Sequence, residues 1–287
     1  MRDITVEVPE GRINVWHRLA GGDSPTIALV HGLSGTSRWW TKVIDQLAPE
    51  VGVIALDVRG RGGSVAAPPP FDLTTLADDI TRSLNHFEVD HAIVAGYSMG
   101  AWVAAIFGRR HADRAERLVL ADGGLPIPSD PEANADEIID AVVGPSLSRL
   151  RMEFAGRDEF YDYWKAHPAL ERQWDDSMKA ALDYELREAD GGFKVLANPD
   201  AIRVAARQIT VDPETNAAAA MVEVPAHLIV VERGTADQDG GMIPLVTAEE
   251  AVAANPNLSM EYLPGLNHYT LLLGAGAEAV ASAITPP

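Results

Sequence analysis

The chain has 287 residues, of which 47% are hydrophobic, and its formal net charge at pH 7 is −19. A chain of this length and composition can bury a large core, whereas its acidity opposes binding to nucleic-acid phosphates or to anionic membrane surfaces. The absence of cysteine excludes disulfides, thiolate catalysis and cysteine-ligated metals. No basic segment leads into an apolar run at the start and no apolar run reaches membrane-spanning length, so we expect a cytoplasmic protein.

Short apolar, β-branched runs alternate with helix-like patterns along most of the chain. Eight of these runs are candidate strands, at residues 3–8, 12–18, 26–30, 51–56, 92–96, 117–121, 227–232 and 258–263. The helix-like segments between them favour parallel pairing, because parallel strands need long crossover connections. The sequence therefore predicts an α/β fold with a mostly parallel, roughly eight-stranded sheet flanked by helices.

This alternation stops between about Leu125 and Val224, after the proline-rich stretch "LPIPSDPE". No convincing strand pattern occurs there, and helix-like patterns are found at 136–143, 157–166, 173–188 and 199–208. An all-helical insertion in an α/β chain is typical of a lid over a ligand pocket. We therefore predict a core of residues 1–124 and 225–287 and an all-helical lid of residues 125–224.

The stretch "GYSMG" at residues 96–100 places a serine between a strand-like run, "AIVAGY", and a helix-like run, "MGAWVAAIFGRR". Gly96 and Gly100 lack Cβ atoms where the strand and the helix would pack closely. A hydroxyl at this turn would be exposed at a helix N-terminus, which favours developing negative charge. We therefore predict that Ser98 is a nucleophile and not merely part of a small-residue turn.

A serine nucleophile needs a base, and the base needs an acid that orients it. Of the eight histidines, His268 in "GLNHYTLLL" has the best context, since it follows the last predicted strand. Asp237 follows the strand in "HLIVVERGTAD", and one helix and one strand would return the chain from there to His268. We predict Asp237 as the acid; Asp122, which follows "RLVLA", is the alternative, and Asp239 is a minor one.

The loop after the third strand, in "TIALVHGLSG", can supply a donor for an oxyanion. We predict that the backbone N–H groups of Leu33 and Met99 form this oxyanion hole, which requires no particular side chain. His31 precedes this loop, and we expect it to brace the loop by hydrogen bonds rather than to catalyse.

Five stretches together resemble the α/β-hydrolase superfamily, of the type with a helical lid between the sixth and seventh strands: "HGLSG" at 31–35, "LDVRGRGGS" at 56–64, "GYSMG" at 96–100, "RGTAD" at 233–237 and "LNHY" at 266–269. The resemblance covers essentially the whole chain, and the order of serine, aspartate and histidine is also that of the superfamily. It implies a serine hydrolase that works through an acyl-enzyme. The sequence contains no phosphate-binding, dinucleotide or metal-ligand motif, so we expect no cofactor and no metal.

Aromatic residues suggest the kind of substrate. Trp39 and Trp102 adjoin the oxyanion loop and the serine turn, and Trp164 lies in an aromatic cluster of the lid. We expect them to contribute to a pocket for a small apolar or aromatic molecule, most simply a carboxylic ester or lactone. The alternatives are hydrolysis of a carbon–carbon bond in a vinylogous diketone and a degenerate hydrolase that only binds its ligand. The sequence is also compatible with a homodimer.

Overall fold

The computed structural model describes residues 1–22, 24–128, 132, 134–170, 173–189 and 191–285. The described strands are β1 (Arg2–Val8), β2 (Gly11–Arg18), β3 (Thr26–Val30), β4 (Gly52–Leu56), β5 (Ala92–Tyr97), β6 (Ala115–Ala121), β7 (Leu186–Ala189), β8 (Gly192–Val195), β9 (Ala226–Arg233) and β10 (Leu258–Asn267).

The described helices are α1 (Thr41–Ile44), α2 (Leu73–His86), α3 (Met99–Arg110), α4 (Ala135–Arg151), α5 (Arg157–Lys165), α6 (Asp176–Glu185), α7 (Pro199–Val211), α8 (Pro213–Ala217), α9 (Leu245–Ala254) and α10 (Gly274–Ile284). Among them, none combines the length and apolar character that a membrane span requires.

Eight strands form one sheet in the order β1-β2-β4-β3-β5-β6-β9-β10. The pairs β1–β2 and β2–β4 are antiparallel, and the other five pairs are parallel. The eight predicted strands and the mostly parallel sheet are therefore confirmed.

Both faces of the sheet are covered, which explains why its central strands are apolar at every position. In β3, Ile27 and Leu29 belong to one apolar core, whereas Ala28 and Val30 belong to a second core on the other face. Successive side chains of a strand point to opposite faces, so continuous apolar runs such as "TIALV" are suited to a sheet buried on both sides.

The chain between β6 and β9 contains α4 to α8, but it is not entirely helical. The helix predicted over 173–188 ends at Glu185, and β7 and β8 then form an antiparallel hairpin. Gly191 has a φ of +88°, which favours a turn, and Phe193 exchanges backbone hydrogen bonds with Phe154. The prediction of an all-helical lid is wrong here, because four-residue strands are too short to produce a clear alternating pattern.

The parallel strands bring distant residues to one edge of the sheet. Their carboxyl ends lead directly to the loop after β3, to Ser98 after β5, to Asp122 after β6 and to His268 after β10. In sheets of this type, ligands bind outside the carboxyl ends of the strands. The topology therefore places the predicted nucleophile and base at a common edge.

Close packing of α3 against β5 and β3 leads to a prediction about stability. A Cβ atom on Gly96 would lie 1.9 Å from the carbonyl oxygen of Gly100, and that on Gly100 would lie 2.1 Å from the carbonyl oxygen of Val30. We expect Gly96→Ala to lower the free energy of unfolding by about 3 kcal/mol or more, since the helix would have to move away from the sheet. Urea denaturation measures this change.

The matched control is Gly144→Ala in α4, where an added Cβ meets no atom within 4 Å outside its chain neighbours and the helix backbone. There we expect a change of less than about 1 kcal/mol, because the gain in helix propensity is opposed by the adjacent Pro145, which disfavours a Cβ on the residue before it in a helix. Equal stability of the Gly96→Ala variant and the wild type would contradict the packing argument.

Candidate active site

Ser98 occupies a strained turn between β5 and α3. Its φ of 55° and ψ of −125° lie outside the ordinary regions for a residue with a side chain. The backbone N–H of Ser98 donates to the carbonyl of Ala121 at 2.9 Å, which ties the turn to the end of β6. Backbone strain of this kind persists where the surrounding structure enforces it, and it is concentrated at functional sites.

His268 connects Ser98 to a buried carboxylate. Its Nε2 lies 3.1 Å from the Ser98 hydroxyl, and its Nδ1 lies 2.6 Å from Oδ2 of Asp122. The Asp122 carboxylate accepts from Nδ1–H, so the tautomer that fits leaves Nε2 to accept the serine proton. Tyr97 stacks on the imidazole at 4.9 Å and donates to the backbone carbonyl of His268, which fixes the ring further.

The prediction that Asp237 orients His268 is wrong, and the alternative, Asp122, is in that position. The Asp237 carboxylate accepts hydrogen bonds from Arg233 at 3.0 Å and from Asn267 at 2.9 Å. Asp239, the minor alternative, instead pairs with Arg233 at 2.7 Å.

The physical reason is the order of the sheet. β6 lies directly beside β5, whereas β9 is one strand further away. The residue that follows β6 is therefore the neighbour of the serine, and the loop after β10 carries the histidine back to this pair. The order of residues along the chain contains no information about this adjacency.

The two predicted oxyanion residues lie beside the serine. Met99 is the first residue of α3, and Leu33 follows Gly32, on which a Cβ atom would lie 3.2 Å from that of Ser98. Leu33 and Ser98 also line the same cavity. The backbone N–H groups of Leu33 and Met99 therefore lie near the Ser98 hydroxyl, as an oxyanion hole requires.

His31 braces the loop as expected. The backbone N–H of Val58 donates to its Nε2 at 3.2 Å, so the proton is on Nδ1, which donates to the carbonyl of Gly32 at 2.7 Å. Complete burial lowers the pKa of His31 to about 4, so the ring is neutral at neutral pH. A hydrogen bond to the Gly32 carbonyl polarises the peptide group that contains the Leu33 N–H and makes it a better donor.

A cavity of about 200 Å³ adjoins Ser98 and His268. Trp39, Trp164 and Tyr269 form aromatic parts of its wall. Trp102 does not line it: this residue has no exposed surface and packs in the core on the α3 side of the sheet. The prediction of Trp102 as a pocket residue is therefore wrong, because its position on α3 directs it into packing with the sheet and with Gly123.

Sequence reasoning missed a buried ion pair in the cavity wall. Arg149 of α4 binds Glu185 of α6 at 3.1 Å and donates to the Ser34 hydroxyl at 2.9 Å. Glu185 also accepts from the indole of Trp39, and the Arg149 guanidinium lies 4.6 Å from the Trp164 ring centroid. Burial raises the pKa of the Glu185 carboxyl, although the positive charge of Arg149 opposes this change. A charged residue on a helix has the same sequence pattern whether it faces solvent or a pocket, so no signal identified this pair.

Within the described ranges, no group of three or more histidine or acidic side chains is arranged to hold a metal ion.

Comparison with known proteins agrees with the fold. The model of the alpha/beta hydrolase family matches residues 27–283. The 2-(acetamidomethylene)succinate hydrolase of Mesorhizobium japonicum is 24% identical over 275 residues, which cover 93% of this chain and 89% of that protein. A crystal structure of E-2-(acetamidomethylene)succinate hydrolase superimposes with a TM-score of 0.80 at 20% identity, covering 99% of this chain and 97% of that one. At this identity the structural likeness shows the fold alone.

Other relatives match over shorter segments. The soluble epoxide hydrolase of Corynebacterium sp. strain C12 is 34% identical over 106 residues, which are 37% of each protein. The chain likewise matches only 31% of the length of an acetyltransferase component of the acetoin cleaving system of Pseudomonas putida. Because the family model extends over nearly the whole chain, this protein belongs to the alpha/beta hydrolase family.

Proposed function

We propose that this protein is a serine hydrolase that cleaves a carboxylic ester or lactone of a small apolar or aromatic substrate. The observation that carries the proposal is the hydrogen-bonded series Ser98, His268 and Asp122, with distances of 3.1 Å and 2.6 Å. A nucleophile, a base and an orienting acid within hydrogen-bond reach are the arrangement that activates a serine hydroxyl.

The first half of the reaction would form an acyl-enzyme. Ser98 Oγ attacks the carbonyl carbon while His268 Nε2 takes the hydroxyl proton, and Asp122 stabilises the resulting imidazolium. The N–H groups of Leu33 and Met99 would bind the oxyanion of the tetrahedral intermediate. His268 then gives its proton to the leaving alkoxide, and the carbon–oxygen bond breaks.

The second half would consume water. His268 takes a proton from a water molecule, whose oxygen attacks the acyl carbon, and the same oxyanion donors bind the second intermediate. Collapse of this intermediate returns the proton to Ser98 Oγ and releases the acid. A serine in this position argues against the chemistry of epoxide hydrolases, since that reaction requires a carboxylate nucleophile that forms an alkyl ester.

The size and lining of the cavity support the substrate class. Its volume of about 200 Å³ is below the range of ~300–1,000 Å³ that is usual for sites of drug-sized ligands. The indoles of Trp39 and Trp164 and the ring of Tyr269 offer apolar contact area next to Ser98. A small apolar or aromatic acyl group fits these two features.

A second candidate is hydrolysis of an acyl derivative that carries a carboxylate. It is favoured by Arg149, a cation in the cavity wall, and by the relative whose name gives a succinate derivative as substrate. Glu185 already neutralises Arg149, which is why the apolar class stands first. A panel of p-nitrophenyl esters, lactones, carboxylate-bearing amides and vinylogous diketones separates these substrates, and absence of turnover on all of them would favour a ligand-binding role.

Replacement of the nucleophile gives the most direct prediction. We expect Ser98→Ala to lower kcat by about a thousandfold or more while leaving the fold intact, because covalent catalysis is lost and binding is not. The measurement is turnover of the best substrate of the panel, with circular dichroism as the check on folding. Near-wild-type turnover by the folded variant would exclude Ser98 as the nucleophile.

Replacement of the two candidate carboxylates should affect kcat very differently. Asp122→Asn should lower kcat by about three to four orders of magnitude, because the amide favours the wrong imidazole tautomer. Asp237→Asn, the matched control, should change kcat by only a few-fold, since Asp237 binds Arg233 and Asn267. The rate at which an organophosphonate labels Ser98 gives the same comparison without a known substrate. A large loss of kcat in Asp237→Asn together with a small loss in Asp122→Asn would reverse the assignment.

The lid wall leads to a prediction about selectivity. Trp164→Ala should change the preference among acyl chain lengths more than it changes turnover of a small acetate ester, because an apolar wall discriminates by contact area. Trp174→Ala is the control: Trp174 packs on Tyr161 and does not line the cavity. If Trp164→Ala changed the turnover of esters of all acyl chain lengths by one common factor, Trp164 would be assigned to lid packing.

A further inference from the structure

Arg61 is a fully buried cation in the turn that follows β4. Its relative exposure is 0%, and its Nη1 donates to the carbonyl of Arg59 at 2.8 Å. In the part of the chain that the structure describes, no Asp or Glu lies within ion-pair distance of its guanidinium. The neighbouring Arg59 differs, since its guanidinium binds Asp79 with two hydrogen bonds of 2.7 Å and 3.1 Å.

Burial of a cation without a carboxylate partner opposes folding. The cost of desolvation exceeds what neutral acceptors return, unless several good hydrogen bonds are made. Burial lowers the pKa of Arg61 to about 9, and the group is still protonated at neutral pH. The surroundings of this charge are therefore set by neutral groups.

The guanidinium of Arg61 contacts both residues of the proposed oxyanion hole. Its Nε donates to the carbonyl of Leu33 at 2.9 Å, and its Nη2 lies 3.6 Å from the Met99 sulfur. The same Nη2 donates to the carbonyl of Ala201 in the first turn of α7 at 3.2 Å. One rigid planar group therefore joins the loop after β3, the start of α3 and the segment between β6 and β9.

We propose that Arg61 is a positioning residue that sets the spacing of the two oxyanion donors and adds a fixed positive charge behind them. This inference rests on the proposed function, because it gives the Leu33 and Met99 N–H groups their role. Donors must lie about 2.7–3.1 Å from the position of the oxyanion, and a loop alone holds such a distance poorly.

Arg61 and His31 act on the two sides of Leu33. His31 donates to the carbonyl that precedes the Leu33 N–H, whereas Arg61 holds the carbonyl that follows it. His31 therefore holds the peptide plane that contains the Leu33 N–H, and Arg61 holds the next plane, so both planes that meet at the Leu33 Cα are fixed. The positive charge also favours the negative charge that develops on the substrate oxygen, most strongly in a buried environment of low dielectric constant.

The test compares Arg61→Met with Arg59→Met, a matched control two residues away and equally buried. The first readout is the rate of organophosphonate labelling of Ser98, which depends on stabilisation of the phosphoryl oxygen. The second is kcat and KM on the best ester, together with the affinity for a boronic acid that forms a tetrahedral adduct.

For Arg61→Met we expect labelling and kcat to fall at least tenfold, KM to change by less than about twofold, and boronate affinity to fall in proportion to kcat. Arg61→Lys should recover part of the loss, because it keeps the charge but supplies fewer hydrogen bonds. Arg59→Met should lower stability to urea without changing labelling or kcat of the folded protein.

Wild-type labelling and boronate affinity in folded Arg61→Met would overturn the inference, and so would equal losses in both methionine variants. If Arg61→Met does not fold, Arg61→Lys decides the question: we expect a several-fold loss in labelling, and an unchanged rate overturns the inference. Failure of the proposed function is distinguishable: if Ser98 is not an activated nucleophile, the wild type is not labelled at all, and if only the substrate class is wrong, the wild type is labelled but does not turn over the esters.

Discussion

The structure of the site depends on the close approach of α3 to the central strands of the sheet. A Cβ atom added to Gly96 or Gly100 would collide with a backbone carbonyl oxygen, so the two backbones are in direct contact without intervening side chains. This contact forces Ser98 into a positive φ and presents its hydroxyl beyond the carboxyl edge of the sheet. It also places the first N–H of α3 next to the loop that carries Leu33. Nucleophile and oxyanion donor are thus two consequences of one packing constraint.

The elements that could be predicted are those with a strong local signal. The eight strands have continuous apolar or alternating runs, Ser98 lies between two glycines at a strand-to-helix junction, and His268 follows the last strand. The acid could not be selected in this way, because Asp122 and Asp237 both follow strands. Only the order of the sheet, in which β6 lies beside β5, distinguishes them.

The burial of charged residues could not be predicted from the sequence for a related reason. Arg61 and Arg149 lie in segments that are otherwise polar and turn-rich or helical, and their burial results from residues that are distant in the chain. Arg61 contacts Leu33 and Ala201, which lie on opposite sides of it in sequence. A protein with a net charge of −19 therefore keeps guanidinium groups in its interior, close to where its proposed chemistry develops negative charge.

The wide separation of the three residues along the chain links the site to folding. His268 lies 146 residues from Asp122 and 170 residues from Ser98. It follows β10, which is the last strand in the sequence and lies at one edge of the sheet. Contacts of such long range form late, because closure of large loops is entropically costly. A partly folded chain without docked β10 would contain serine and carboxylate but no base. Reactivity of Ser98 during refolding would consequently report the docking of β10 rather than the formation of any local element.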